Sequence, residues 1–531
     1  MPFVSVQFLI FIFLAGALYF FVPKKWQWAV LLVFSYIYFF INSEWLILVL
    51  FAETLVTFGT GLLIEKQSEA EQKKLDALEE SGSKEEKKNI RASGKEKRRR
   101  IMLCGILIVL LTLVFLKYYN FFTESLSFIT RCFGIAFPKL NLLLPIGISF
   151  YTLQAIAYMA DVYHGRIRAD KSLLKFMLFM SYFPQILQGP IPRHKQLAGQ
   201  LYESHDFDFQ RLCHGIQLIL WGFIKKMVIA DRIAIPVNAI FDNHSDYQGL
   251  ILFFAAALYG VQIFADFSGG MDIARGFSQI LGIDLELNFT QPYFAVSVED
   301  FWRRWHITLG SFMRDYVFYP LSLSRTFSKL GKAARKVFGN KIGKKIPPFI
   351  AMFIVYFLVG LWHGSQWKYV AYGIWNGLFI AGGILLTESF ERLKQILRID
   401  GDLFSWKLFR ILRTFTIISI GRFFSRAASL KIAVSMIRSF FTGWYDSSFF
   451  FDGSLLKLGI NGPEWNLVMI MILILLLADL AHEKGLCIRR WITSQGVLFE
   501  ILAVILAVTA IIILGVYGPG FDASKFIYQQ F

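Results

Sequence analysis

Apolar runs, each about the length of a membrane-crossing helix, alternate with short polar connections through the first part of the chain. They extend from Val4 to Val22, Trp26 to Ile41 and Trp45 to Ile64, separated by Pro23-Lys24-Lys25 and Asn42-Ser43-Glu44. About 20 apolar residues cover roughly 30 Å of hydrocarbon as a helix, so the pattern predicts three spans. The lysines of the first connection place it in the cytoplasm and the N-terminus outside. With no basic stretch before Val4 and no small-residue cleavage site after Val22, the first run is expected to be a retained span.

From Glu65 to Arg100 the pattern turns polar, mixes both charge signs and ends in Lys97-Arg98-Arg99-Arg100. That predicts a charged cytoplasmic loop, helical or partly disordered. Ile101 to Tyr119 is another span. The apolar block from Pro145 to Met159 contains Gly147, Ser149, Tyr151 and Gln154. Lipid satisfies neither broken backbone nor polar side chains, so this block is expected to pack on protein or line a cavity. Met177 to Leu187 runs into the turn-rich boundary Gln188-Gly189-Pro190-Ile191-Pro192-Arg193. Gln217 to Ala230, followed by Asp231-Arg232, carries Lys225-Lys226 and is expected to meet the cytoplasmic interface with its lysines snorkelling. Leu250 to Ala265 leads to Asp266 and Asp272, which are expected to hold backbone groups and arginines at a re-entrant turn. His194, His205 and His214, irregularly spaced among polar residues, read as surface histidines.

Whole-chain composition agrees with this pattern. With 56% hydrophobic, 17% aromatic and 18% charged residues, and a mean hydropathy of +0.52, the chain is an all-α polytopic membrane protein rather than a soluble domain. A membrane barrel would instead show alternating segments of about 10 residues. The formal charge of +17 belongs with cytoplasmic loops and anionic lipid and does not require nucleic acid. The four cysteines lie far apart without ligand spacing, which argues against a disulfide framework or a metal site.

The chemistry concentrates between Asp266 and Asn376. Ser297-Val298-Glu299-Asp300 has the form of a capping box and opens a predicted helix through Phe301-Trp302-Arg303-Arg304-Trp305-His306. Helical spacing would put Glu299, Trp302, Arg303 and His306 on one face, with Glu299 and Arg303 paired. The basic stretch Ser322 to Lys345 reads as cytoplasmic, so the apolar segment from Pro347 runs outward. His363 follows about 15 apolar residues, or roughly 22 Å of helix, too short for a full crossing. It is expected at membrane depth, where burial keeps an imidazole neutral, as a general base requires. Trp367, Tyr372, Trp375 and Asn376 complete a polar and aromatic pocket.

The pattern Asn288-Phe289, Pro292-Tyr293, Phe301-Trp302-Arg303-Arg304-Trp305-His306-Ile307-Thr308-Leu309 and Arg314-Asp315-Tyr316, then Gly360-Leu361-Trp362-His363-Gly364, resembles the membrane-bound O-acyltransferase family. Within it the chain is most similar to the alginate O-acetylation branch, which its length and the block from Pro145 to Tyr158 also resemble. That branch usually has a tyrosine where Gly270 stands, and Pro-Leu-Gly-Gly where Pro320-Leu321-Ser322-Leu323 stands. The resemblance implies a ring of about 11–13 transmembrane or re-entrant helices around a thinned central pocket. It matches the family's essential histidine to His363 and its second histidine to His306. Asn288, Trp302, Arg303, Arg304, Trp305, Asp315 and Asn376 are expected to line the substrate and donor site, the arginines orienting an anionic donor. No bound cofactor is implied; acetyl-CoA is the expected cytoplasmic acyl donor.

Toward the C-terminus the spans from Leu467 to Leu477 and from Phe499 to Val516 flank Lys484, Arg489 and Arg490, which place that connection in the cytoplasm and the tail outside. The tail ends Phe526-Ile527-Tyr528-Gln529-Gln530-Phe531, similar to an aromatic motif of the same branch and of small peptides that assist D-alanyl transfer. That likeness implies an acyl relay at Tyr528; an aromatic interfacial anchor explains the same residues.

The expected organisation is three N-terminal spans (1–64), a charged cytoplasmic loop (65–100), the catalytic core (101–390), C-terminal helices (391–516) and an extracellular tail (517–531). The function expected is a bacterial plasma-membrane O-acyltransferase, passing an acetyl group outward from a cytoplasmic donor. An extracellular acetyltransferase partner and a polysaccharide acceptor complete that picture. The alternatives are D-alanyl transfer to teichoic acid from a carrier protein, a transporter with His363 as proton relay, and a membrane scaffold. No inverted repeat or phosphate-binding glycine loop is visible.

Overall fold

The computed structural model describes residues 1–78, 83–135, 137–186, 188–443 and 445–517. Among these the regular structure is helical, with one isolated β-bridge between Phe289 and Trp305. Seven helical stretches are long and apolar enough to cross a membrane. The chain forms two compact units, Met1–Gly215 with Ala274–Glu286, and Ile216–Ile273 with Leu287–Phe531.

The first unit holds α1 (Val6–Phe21), α2 (Gln27–Ser43), α3 (Ile47–Asp76), α4 (Lys84–Leu113), α5 (Tyr119–Cys132), α6 (Ile148–Tyr163), α7 (Leu173–Ser181), α8 (Phe183–Ile186) and α9 (His194–Tyr202). The charged stretch after Ile64 continues α3 and opens α4 as two helical arms. Ser83 and Glu86 cap α4 reciprocally, and Arg98 pairs with Glu71 at 3.1 Å. As its polar residues predict, α6 is buried on nearly every side.

One expectation is corrected here. His194 is no surface histidine: its side chain is 13% exposed, lies 3.2 Å from Asp170 and packs against the rings of Tyr158 and Phe179. The expected turn-rich boundary at 188–193 is non-helical, and after it α9 returns beside Asp170, the point from which α7 sets out.

Helix α10 (Phe209–Phe223) leads into the second unit and widens into π-type turns over Ile224–Ala230 before α11 (Asp231–Asp242). The unit continues with α12 (Leu250–Ile280), α13 (Val298–Arg304), α14 (Ile307–Phe312), α15 (Tyr319–Ser322), the basic α16 (Arg325–Gly343), α17 (Ile346–His363) and α18 (Trp367–Ile396). It closes with α19 (Phe404–Arg426), α20 (Leu430–Thr442), α21 (Gly462–Glu483), α22 (Ile488–Ser494) and α23 (Val497–Leu514).

Lys225 and Lys226 do not snorkel; they are 4% and 1% exposed, and they face α12. Lys226 Nζ lies 2.6 Å from Asp266 and 2.8 Å from Asp231, while Lys225 reaches Ser268 at 2.9 Å and also Asp272. Asp266 and Asp272 therefore take lysine partners, and they do so on a continuous helix, not at a re-entrant turn. A buried carboxylate needs a charged partner, and the wide turns after α10 bring two lysines inward to supply it.

Helix α21 measures the depth of this unit. Arg304 donates to Glu483 at 2.7 Å at one end, and Arg232 to Glu464 at 2.6 Å at the other. These carboxylates are 19 positions apart, which corresponds to roughly 28 Å of helix. Arg232 also donates to Leu514 O at 2.8 Å, closing the end of α23.

The hairpin of α17 and α18 carries His363. Pro347 and Pro348 sit in the first turn of α17, where no amide partner is lost, and the helix ends at His363. Its crossing with α18 is made by Gly360 and Gly373. A Cβ on Gly373 would lie 2.4 Å from Tyr356 O and 2.9 Å from Gly360 Cα. Glycines at such a crossing let two membrane helices approach backbone to backbone. Gly373→Ala must push these helices apart and is expected to lower stability by about 1–3 kcal/mol. Gly383→Ala, whose Cβ meets nothing within 4 Å, should be neutral or slightly stabilising; thermal unfolding of the two variants in detergent checks the contrast.

Candidate active site

The site is built where one helix ends early and another stops at a histidine. Ser297 caps α13 by accepting from Asp300 N at 3.0 Å, and Asp300 in turn accepts from Val296 N at 3.1 Å. The helix then stops: Trp305 is extended, and His306 adopts the left-handed region at φ 48° and ψ 53° before α14 begins. The single face expected for Glu299, Trp302, Arg303 and His306 is thus broken by one residue of extended backbone. Arg303 lies 3.6 Å from Asp300, the neighbour one helical turn back, and this pair replaces the one expected with Glu299.

A side chain closes the break. Asn288 O accepts from Ile307 N at 3.0 Å, and Asn288 Oδ1 accepts from both Thr308 N and Thr308 Oγ1 at 2.9 Å. The Phe289–Trp305 bridge and Thr290 N donating to Arg304 O at 3.0 Å continue the seam. His306 Nδ1 lies 3.1 Å from the Asn288 amide nitrogen and 3.3 Å from Oδ1. Oδ1 already accepts twice from Thr308, which assigns the amide nitrogen as the donor to Nδ1; on that assignment a neutral His306 carries its proton on Nε2.

His306 is fully buried. Its ring meets Phe267 of α12 at 5.1 Å and Trp362 of α17 at 5.5 Å, both edge to face. Trp362 meets His363 at 5.1 Å, and His363 meets Tyr372 of α18 at 5.7 Å. The two histidines therefore flank one tryptophan, and His363 is 7% exposed. Trp302 Nε1 donates to Asn376 Oδ1 at 3.0 Å, tying α13 to α18, while Asn376 donates to Tyr372 O at 2.8 Å. Trp305 stacks on Phe301 at 5.4 Å.

Of the residues singled out from the sequence, Asn288, Trp302, Trp305, His306, His363 and Asn376 come together in this way. The two arginines separate. Arg304 is held by Asp300 and Glu483, whereas the Arg303 side chain is 67% exposed. Asp315 pairs with Arg314 at 2.9 Å in the π-type turns after α14. Tyr528 lies outside the described residues.

Arg422 of α19 was not anticipated. It is 1% exposed, with its guanidinium 4.8 Å from the Trp305 ring centroid and Nη1 3.4 Å from Tyr372 OH. The signal was present in Ile417-Ile418-Ser419-Ile420-Gly421-Arg422-Phe423-Phe424, an arginine inside an apolar run. It was masked by the basic residues from Lys407 to Arg413, which make the start of α19 read as a loop.

This arrangement offers two buried imidazoles, aromatic walls around them and a buried guanidinium one tyrosine away from His363. It can accept a proton at one point and hold a developing negative charge at another.

Comparison with known proteins points the same way. The sequence model of the membrane-bound O-acyltransferase family matches residues 166–427, which contain Asn288, His306, His363, Asn376 and Arg422. The probable alginate O-acetylase AlgI of Pseudomonas syringae pv. tomato is 32% identical over 345 residues, covering 65% of this chain and 61% of that protein. A peptidoglycan O-acetyltransferase of Helicobacter pylori is 28% identical over 367 residues, 64% of each chain. A teichoic acid D-alanyltransferase of Streptococcus thermophilus is 28% identical over 261 residues, 48% of this chain and 59% of that one. The match thus spans about three-fifths of the length of these relatives. Residues 166–427 form a domain of the membrane-bound O-acyltransferase family.

Proposed function

We propose that this protein is a membrane O-acyltransferase that moves an acyl group, most simply acetyl from acetyl-CoA, from a cytoplasmic donor outward for ester formation on a cell-surface polysaccharide. The observation that supports it best is the histidine pair flanking Trp362 in a buried pocket, inside the stretch matched to the family. The similarity to O-acetylating relatives favours acetyl over D-alanyl; the D-alanyltransferases match a shorter part of the chain. On this reading the N-terminus and the tail lie outside, in a bacterial plasma membrane, and an extracellular acetyltransferase completes the transfer.

The residues divide the chemistry as follows. His363 takes the proton of the attacking hydroxyl as its oxygen attacks the acyl carbon. That proton passes on to the departing sulfur, so a thioester and an alcohol become an ester and a thiol. General-base assistance of this kind is worth about 10²–10⁴ in rate. His306, with Nδ1 held by Asn288, presents Nε2–H toward charge developing on the acyl oxygen. Exposed Arg303 meets the anionic donor; Arg304, occupied by two carboxylates, fixes α13 against α21. Tyr528 of the tail is the acyl relay to the outside.

His363→Ala is expected to abolish polysaccharide O-acetyl groups in cells at unchanged membrane levels of the protein, and Tyr528→Phe to remove them if the tail is the relay. Ester content of the isolated polymers measures both. Unchanged ester in His363→Ala cells, against a clear loss on deletion of the gene, would sink the catalytic reading and favour a scaffold or transporter. Asn288→Asp keeps an acceptor for Thr308 but turns the group facing Nδ1 into an acceptor, drawing the His306 proton from Nε2 to Nδ1. It is expected to slow transfer by about 10²-fold, the scale of one lost oxyanion donor, with folding retained. Asn288→Ala should in addition destabilise by about 1–3 kcal/mol by stranding buried polar groups, read as a lower melting temperature.

A further inference from the structure

The stretch from α7 to α9 in the first unit is a re-entrant hairpin whose tip carries polar side chains that the chemistry above does not use. Its depth is set by α2: Phe183 N donates to Ser35 Oγ at 3.2 Å, and Ser35 stands at the middle of that 17-residue helix. Its two ends lie together, since Asp170, just before α7, is 3.2 Å from His194 and accepts from Tyr202 OH at 2.6 Å. The chain therefore enters and leaves on the same side.

The returning arm, 188–193, is non-helical and almost wholly buried. Non-helical backbone persists at membrane depth only where protein covers it or where it lines a polar cavity. Gln185 and Gln188 at the tip are 1% and 0% exposed, and none of their four side-chain amide atoms has a hydrogen-bond partner among the described residues. Gln154 of α6 donates to Phe179 O in the entering arm at 2.7 Å, and its Oε1 is likewise buried without a partner among those residues. Burying amides this way costs free energy that methionines of similar size would not. Such a cost is kept where a ligand recovers it.

We propose that Gln185 and Gln188, with Gln154 behind them, bind the neutral part of a substrate that offers hydroxyl or secondary amide groups. A primary amide presents a donor and an acceptor side by side, which suits such groups and suits neither an acyl chain nor an anion. The proposal rests on the acyl-transfer reading only for its two sources: hydroxyls of an acceptor sugar, or amides of the pantetheine arm of coenzyme A.

The test uses the full-length chain carrying His363→Ala, alone and with Gln185→Met or Gln188→Met, purified in detergent. Melting temperature and equilibrium binding of radiolabelled acetyl-CoA and of a labelled mannuronate tetramer are measured; because nothing turns over, failure of the acyl-transfer reading shows separately, in the cellular ester assay. The expected result is an equal or higher melting temperature with about 3–10-fold weaker binding of one probe, the scale of one neutral hydrogen bond. Weaker acetyl-CoA assigns the site to the donor, weaker tetramer to the acceptor. Unchanged binding of both probes, no binding of either to the parent protein, or a lower melting temperature each overturns the proposal. If the methionine variants are not recovered folded, Gln188→Glu, of the same shape, is read by probe binding alone, since a buried carboxylate lowers the melting temperature whatever the site binds; unchanged binding of both probes then overturns the proposal.

Discussion

A helix broken inside apolar surroundings frees backbone groups that only the protein can satisfy, and around His306 that work falls to Asn288. Its carbonyl and its side chain take up the amides of Ile307 and Thr308, and the same side chain meets His306 Nδ1. The rest of the pocket depends on this knot. Had α13 run on through Trp305, His306 would sit one turn beyond Trp302, on the side where Trp302 meets Asn376. The left-handed residue turns the imidazole to Phe267 and Trp362 instead, which places it beside His363.

Helix α12 joins that knot to the charges behind it. Phe264, Phe267 and Met271 face Phe289, His306 and Asn288, while Asp266, Ser268 and Asp272 on another face meet Lys225 and Lys226. Gly222 and Gly269 let the two backbones close: a Cβ on Gly222 would lie 2.6 Å from Gly269 O. Buried ion pairs add little net stability, since desolvation offsets most of their attraction, but breaking one strands a charge. A slide of α12 along α10 would strand several at once. The pairs thus act as a register for the helix against which His306 rests.

What the sequence disclosed and what it withheld follow from the same physics. His363 was legible because an ionisable residue in an apolar run is rare, and the Ser297 cap because its chemistry is local, though Asp300 closes on Val296 N and not on Ser297 N as a capping box would. The end of α13 was not legible, since nothing in Arg304-Trp305-His306 opposes a helix; the competing partner, Asn288, lies 18 residues away. Lys225 and Lys226 were read as snorkelling because sequence order does not show that Asp266 and Asp272 wait on a neighbouring helix. The hairpin at Gln185 and Gln188 was visible as turn residues, but its return to the side of entry depends on the pairing of Asp170 with His194. Arg422 was hidden by the basic residues that precede it.

The two ends of α21 bear on the relay reading. Arg304, two residues from His306, is fixed at the Glu483 end; Arg232 at the Glu464 end holds Leu514, from which the tail departs. The acyl group on the relay reading must therefore be met by a tail that starts roughly 28 Å of helix away from the arginine beside the site. Val516 N still donates to Met227 O at 3.0 Å, and Tyr528 lies 12 positions beyond it, a reach of up to about 40 Å when extended. On the relay reading that reach exceeds the length of helix to be covered, so chain length alone does not oppose it.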